Sequence, residues 1–466
     1  MGGLSVDIVF AMILSIAIKA ISAVVEIAIQ MLITNGVGVS EYGNYTFFVS
    51  LIEGAYFVLF SGSIKLNTFY LSTPASSLSD FKKKYTLRFV TPIIAVIVAC
   101  FAVMRNPYGI LAGIILYIYY FAFDSSSVFF SRGHQLPALL GEYLFGRIVL
   151  LIGVLTTIKL NAATGHILLG LYGLQFVTML LWFAPNRKKL KPGTEEIKVP
   201  MRKLVEYQVL DFANSLISYS PTILQYIIGG AITAGFTGII SIIKRFINFI
   251  SGPTAKVFLP EFSRLYKNGE REKLEQSYLM IVRIQMVFIG TIGAILIGFP
   301  NLILHMFSPD LEQYSNIFTG TAISLLIIAG IGPATGMLQM TGNEKICNRN
   351  QWISIGIMIL VWLVMRKEPL FAVYGLCVQA IVEGGMKYFS VCRWFGKNVV
   401  PLKNYILLWL PVAVLRIVVD RFGWQYSYVA LILCVLLVFA WNMLFAMRDP
   451  MIKTSVMGKL KSFRRK

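Results

Sequence analysis

Long apolar stretches recur along the whole of this 466-residue chain, separated by short polar connectors. Fourteen of them are long enough to cross a bilayer as helices. They run roughly over 8–33, 44–63, 84–104, 108–130, 137–158, 162–184, 205–230, 235–259, 276–299, 317–340, 347–366, 369–391, 402–420 and 425–447. In the first, the apolar run is interrupted by Ser15, Lys19, Ser22, Glu26, Gln30 and Thr34. Steps of three and four put all six on one helical face. A charge such as Lys19 would be costly against lipid, so this seam predicts a protein neighbour or a water-filled cavity. Spans two, seven and eight carry similar seams: Thr46, Ser50 and Glu53; Asp211, Ser215, Ser218, Thr222 and Gln225; Thr237, Ser241 and Lys244.

Two of these seams are copies. Thr46, Ser50 and Glu53 match Thr237, Ser241 and Lys244 at a constant offset, and Ser61-Gly62 matches Ser251-Gly252 close behind. An even number of spans separates the copies, so the halves run parallel about an axis along the membrane normal. The expected architecture is an all-α integral membrane protein. It has a six-helix lobe over 1–195, a second over 196–398, and two further helices with a basic tail over 399–466.

Composition agrees: 57% of residues are hydrophobic and 14% charged, against about 45–50% and about 25% in soluble domains. The net charge of +20 would suggest nucleic acid if it lay on one face, but its placement follows the spans. Lys82–Lys84, Arg132, Arg187 through Lys203, Arg264 to Lys273, Lys345 with Arg349, and Arg393 with Lys397 all follow even-numbered spans, as does the tail. Connectors after odd-numbered spans are poor in Lys and Arg, Arg366-Lys367 being the exception. The positive-inside rule then puts both termini in the cytoplasm, and no nucleic-acid partner is expected. No connector is long enough for a catalytic domain, and no paired acids or His/Asp set stands at a membrane face, so an enzyme is not expected. The five cysteines and three histidines lack metal-ligand spacing, and neither a metal nor a cofactor is expected. Gly330 to Gly336 looks like a phosphate loop but lies inside an apolar span without the Lys-Ser/Thr ending; it predicts a break in span ten.

The charges on the seams suggest two kinds of chemistry. Lys19, Lys244 and Arg245 suit an anionic headgroup such as a pyrophosphate. Glu26, Glu53 and Asp211 suit coupling to a proton or sodium gradient. Ser15, Ser22, Gln30, Ser50, Ser241 and Asn248 would complete the polar lining. A purely structural alternative has Lys19 and Glu26, two turns apart, neutralising each other. Glu142 and Arg147 would pair or line the cavity. Arg283, Glu383 and Lys387 are expected to snorkel at the inner face, and Arg416 with Asp420 to form a local pair.

The stretch Gly38-Val39-Ser40-Glu41-Tyr42-Gly43-Asn44-Tyr45 resembles the Gly-x-x-x-Tyr-Gly-x-Tyr turn of the Wzx-type polysaccharide-lipid flippases. Ala234-Gly235-Phe236 through Lys244-Arg245, then Leu259 to Ser263 and Asn268 to Glu270, are similar to that family's eighth helix and the segment after it. The resemblance implies the superfamily that also holds multidrug (MATE) exporters and lipid II flippases. It implies a V-shaped pair of lobes in a bacterial cytoplasmic membrane, moving a polyprenyl-pyrophosphate-linked oligosaccharide outward by alternating access. Membrane lipids and other polysaccharide-assembly membrane proteins would be its partners. Relatives meet the pyrophosphate with cations on the first, second and eighth helices, positions that Lys19 and Lys244 or Arg245 match here. Glu53 departs from the base of a lipid II flippase, and Gln225 stands where relatives often have an acid. A cation-coupled multidrug exporter on the same fold is the main rival, and a membrane transferase the other.

Overall fold

A computed structural model of the protein describes residues 6–71, 76–132, 134–190, 195–197, 199, 201–244, 247, 262, 265–266, 268–398 and 402–446. Wherever they are described, the fourteen apolar stretches are mainly helical. Local chemistry sets several helix starts. Asn106 accepts from the Gly109 amide at 3.1 Å to cap helix Pro107–Ser131, and Thr164 caps Gly165–Asn186 through the Ile167 amide. Large apolar side chains face outward along whole helices, as with Ile432, Leu433, Leu436 and Leu437 on Tyr428–Ala446. Such a surface is suited to lipid and not to water.

The predicted connector 34–43 is not a loop. Helix runs from Val6 to Leu59, and only Gly38 leaves helical geometry, at φ 83° and ψ 163°. That conformation is essentially confined to glycine. One residue reverses the chain there. Before it, Glu26 lies against Arg147, and Gly36 against Ile158; after it, Gly165 lies against Glu41, and Tyr172 against Glu53. The two helices they follow, Gly146–Lys159 and Gly165–Asn186, are antiparallel, since Gly153 meets Leu171 and Gly146 meets Gln175. A second glycine, Gly230, also has φ 83° and separates Met201–Gly229 from Ala231–Lys244. Thr222 and Ser241 face each other at 3.4 Å across that reversal.

The chain forms two compact units, Met1–Ser241 and Ile242–Lys466. In the first, helix Val6–Leu59 packs on Met201–Gly229, Pro107–Ser131, Gly146–Lys159 and Gly165–Asn186. Span seven therefore packs with the first six. A short parallel bridge pairs Ser76–Ser77 with Glu195–Glu196. Span five contains a π-helical turn, Leu140–Phe145. In the second unit, Glu344–Met365 packs on Phe371–Phe395, and Arg271–Gly298 packs on Ser315–Gly330, Leu402–Arg421 and Tyr428–Ala446. The expected break in span ten is present: Ser315–Gly330 ends, Gly332 adopts φ 82°, and Ala334–Met340 resumes. The Tyr278 hydroxyl donates to the Ile331 carbonyl at 2.5 Å, partnering a backbone group the break releases.

Candidate functional site

The motif between spans one and two is built for close packing. Gly38 provides the reversal, while Tyr42 and Tyr45 are fully buried. A side chain at Gly43 would start 1.8 Å from the Ala231 carbonyl oxygen, so the two backbones touch. The start of span eight continues the contact, with Gly235 against Val39 and Gly238 against Thr46. The copied seam has matched surroundings too. Tyr45 and Phe236 are both buried, and so are Thr46 and Thr237.

Polar groups of the first unit are partnered across helices. Glu26 pairs with Arg147 at 3.3 Å, its side chain 13% exposed. Of the alternatives for span five, Arg147 reaches across to span one, and Glu142, on the π-helical turn, accepts from Ser126 at 2.7 Å. Glu53, 8% exposed, accepts from the Tyr172 hydroxyl at 2.7 Å. Ser22, Gln30 and Ser50 are buried. Ser241 donates to the Thr237 carbonyl at 3.0 Å. Spans two and seven meet where Ser215 donates to Gly54 O at 3.2 Å. Gln208 donates to the Phe57 and Val58 carbonyls at 2.5 and 2.6 Å and accepts from the Gly62 amide, closing the helix break that follows Leu59. Asp124 is held by Lys82 and Asn67, both at 2.8 Å.

Ser15, Lys19 and Asp211 lie on helix, but their side chains fall outside the described residues, as do Arg245 and Asn248 altogether.

The second unit holds a charged cluster that the sequence reading dispersed. Glu383 and Lys387, expected to snorkel, instead form an ion pair at 2.6 Å with side chains 14% and 23% exposed. Gln379 donates to the other Glu383 oxygen at 2.5 Å and to Ser354 at 3.3 Å. Lys244 acts electrostatically on both Glu383 and Lys387. Two ammonium groups thus act on one carboxylate in a buried setting, where such interactions are strong. Arg416 and Asp420 form the expected local pair at 2.9 Å. Groups of three His, Cys, Asp or Glu side chains able to hold a metal are absent among the described residues.

Sequence reasoning missed Tyr172, Gln208 and Gln379, and undervalued Arg147 and Glu383. Each partners a residue more than twenty positions away or lies on a helix without a copied seam, so no local spacing announced it.

This helical arrangement has known counterparts. The lipid II flippase MurJ in an inward closed conformation is similar with a TM-score of 0.64 and 16% identity, covering 94% of this chain and 99% of that one. The chain has the fold of a membrane transporter. An inward-facing MATE-family multidrug resistance transporter of the MOP superfamily is similar with a TM-score of 0.61 and 14% identity, over 83% of this chain and 98% of that one. A MOP-superfamily transporter from Pyrococcus furiosus, with a binding pocket of reverse polarity, is similar at 0.52 and 12% identity, over 82% and 95%. No family model and no curated protein sequence matches. The protein is a multi-pass membrane protein with the all-α fold these transporters share.

Proposed function

We propose that this protein is a flippase. It moves polyprenyl-pyrophosphate-linked oligosaccharide repeat units across a bacterial cytoplasmic membrane, and it is not an enzyme. The observation that carries the reading is the buried cluster of Lys244, Lys387 and Glu383, whose two ammonium groups are the kind that hold a pyrophosphate in a low dielectric. The Gly38–Tyr45 motif and the likeness to MurJ support it. In this proposal the lobes 1–195 and 196–398 rock about the headgroup by alternating access while the polyprenyl tail stays in lipid. The helices over 399–466 flank them, and both termini lie in the cytoplasm. Lys19 and Arg245 join Lys244 at the phosphates. Glu26, Glu53 and Asp211 couple transport to a proton or sodium gradient, and Ser15, Ser22, Gln30, Ser50, Ser241 and Asn248 line the path.

The test is native mass spectrometry of the gently extracted protein, followed by glycan export in cells. A co-purified polyprenyl-pyrophosphate oligosaccharide is expected, lost in Lys244→Ala together with at least a tenfold drop in export, equivalent to about 1.4 kcal/mol. Ordinary phospholipid alone and unchanged export would sink the reading. The second reading, a cation-coupled multidrug exporter, draws on Glu53, a buried carboxylate suited to an organic cation. Drug resistance that rises on expression and disappears in Glu53→Gln would favour it.

A further inference from the structure

The carboxylate in the second unit is held as a bound anion would be. Its Oε1 faces the Lys387 ammonium at 2.6 Å, and its Oε2 accepts from the Gln379 amide at 2.5 Å. Gln379 is only 2% exposed and is itself tied to Ser354, which is fully buried. Lys244 supplies a second positive charge from the helix Ala231–Lys244. Two donors on one helix therefore converge on the two oxygens that one residue of the protein provides, and the charge of Lys244 acts on them from a second helix.

Lys387 and Glu383 lie four residues apart on Phe371–Phe395, so the pair forms on one helical face and needs no tertiary change to open. Gln379 is four residues further back on the same face. Only the carboxylate must swing away for the Gln379 amide and the Lys387 ammonium to turn to another anion, within the field of Lys244. A phosphate would bring more negative charge and more acceptor oxygens than the carboxylate it replaces.

From this geometry we infer that Glu383 is a built-in competitor for the anionic group of the transported lipid, and that Lys387 and Gln379 are donors of the same site. The empty site is closed by Glu383, and a pyrophosphate-bearing lipid takes its place on Lys387, Gln379 and Lys244. Glu383 thereby sets a threshold: weakly charged lipids fail to displace it, and doubly charged headgroups succeed. The inference rests on the flippase reading and assigns roles to residues outside it.

The experiment uses the full chain in lipid nanodiscs and titrates farnesyl pyrophosphate as the probe, with farnesyl monophosphate alongside. Glu383→Gln keeps the shape and removes the competitor. It is expected to bind farnesyl pyrophosphate at least fivefold more tightly than the wild type and to narrow the difference between the two probes. Lys387→Met is expected to bind at least tenfold more weakly, and Lys387→Arg to recover most of that loss. Glu383→Asp, which keeps the charge but shortens the reach, guards against misfolding of the neutral variant and is expected to bind more tightly than wild type to a smaller extent. Wild-type binding that is unchanged or weakened in both Glu383 variants overturns the competitor role and leaves the flippase reading standing. Wild type and variants that all ignore farnesyl pyrophosphate overturn both.

Discussion

Gly38 and Gly43 fail for different reasons when given a side chain. Nothing lies within 4 Å of a Cβ at Gly38, but its φ of 83° and ψ of 163° would strain any other residue by about 1–3 kcal/mol. At Gly43 the backbone is ordinary helix and the obstacle is the Ala231 carbonyl, 1.8 Å from the new carbon. Gly43→Ala is therefore expected to lower Tm in detergent more than Gly38→Ala does. Adding Ala231→Gly should not restore it, because the clash is with backbone; a full rescue would mean that the contact is not as described. Glu53 makes a second case at this scale. Tyr172→Phe removes the donor facing a buried carboxylate, a loss of about 1.5–3 kcal/mol for a hydrogen bond to a charged group. In a double-mutant cycle with Glu53→Gln the two losses should fall well short of adding, as expected of direct partners. Additive losses would show that the pair is not coupled.

Among elements, the bridge between Ser76–Ser77 and Glu195–Glu196 ties the connector after span two to the one before span seven. Its bonds include Ile197 N to Ser77 O at 2.9 Å and the Asp80 amide to Glu196 Oε1 at 2.9 Å. Burial acts to raise the Glu196 carboxyl, but hydrogen bonds from Ser77 and the amides around Asp80 outweigh it and hold the group below its ordinary 4.5. A carboxyl lowered in the folded state stabilises it above the ordinary value, and that contribution is lost as pH falls through the folded value. Exchange protection of the Asp80 and Ile197 amides, corrected for intrinsic rate, should persist at pH 6–7 and fade below about pH 4. Glu196→Gln should weaken it at neutral pH and remove its acid dependence. Protection that ignores both changes would mean the clasp is held elsewhere.

For the whole molecule, the alternation of basic connectors predicts a membrane orientation that can be read chemically. In a background lacking the five cysteines, a cysteine replacing the exposed Asn161 should react with an impermeant maleimide in intact cells. One replacing the exposed Lys188 should react only after permeabilisation. The reverse pattern would invert the topology. Apolar stretches were legible in the sequence because twenty uninterrupted apolar residues have few other uses, and the break at Gly330–Pro333 was legible because proline cannot continue the preceding turn. The seams were legible as faces but not as partners. Glu26 meets Arg147 and Glu53 meets Tyr172 across more than a hundred residues, where helical periodicity carries no information. Lys387 looked like an interfacial lysine because its place in span twelve is near an end; that Glu383 and Gln379 turn it inward is a matter of tertiary packing.

A reversal made by one glycine leaves the chain no slack. A protease must draw out several residues in extended form before it can cut, and an antibody needs a comparable length of accessible backbone. At Gly38 and Gly230 that length is helix on either side, broken at a single residue. These two bends are therefore among the poorest places on the molecule for cleavage, epitope insertion or circular permutation, although the first lies in what reads, from residues alone, as a ten-residue surface loop.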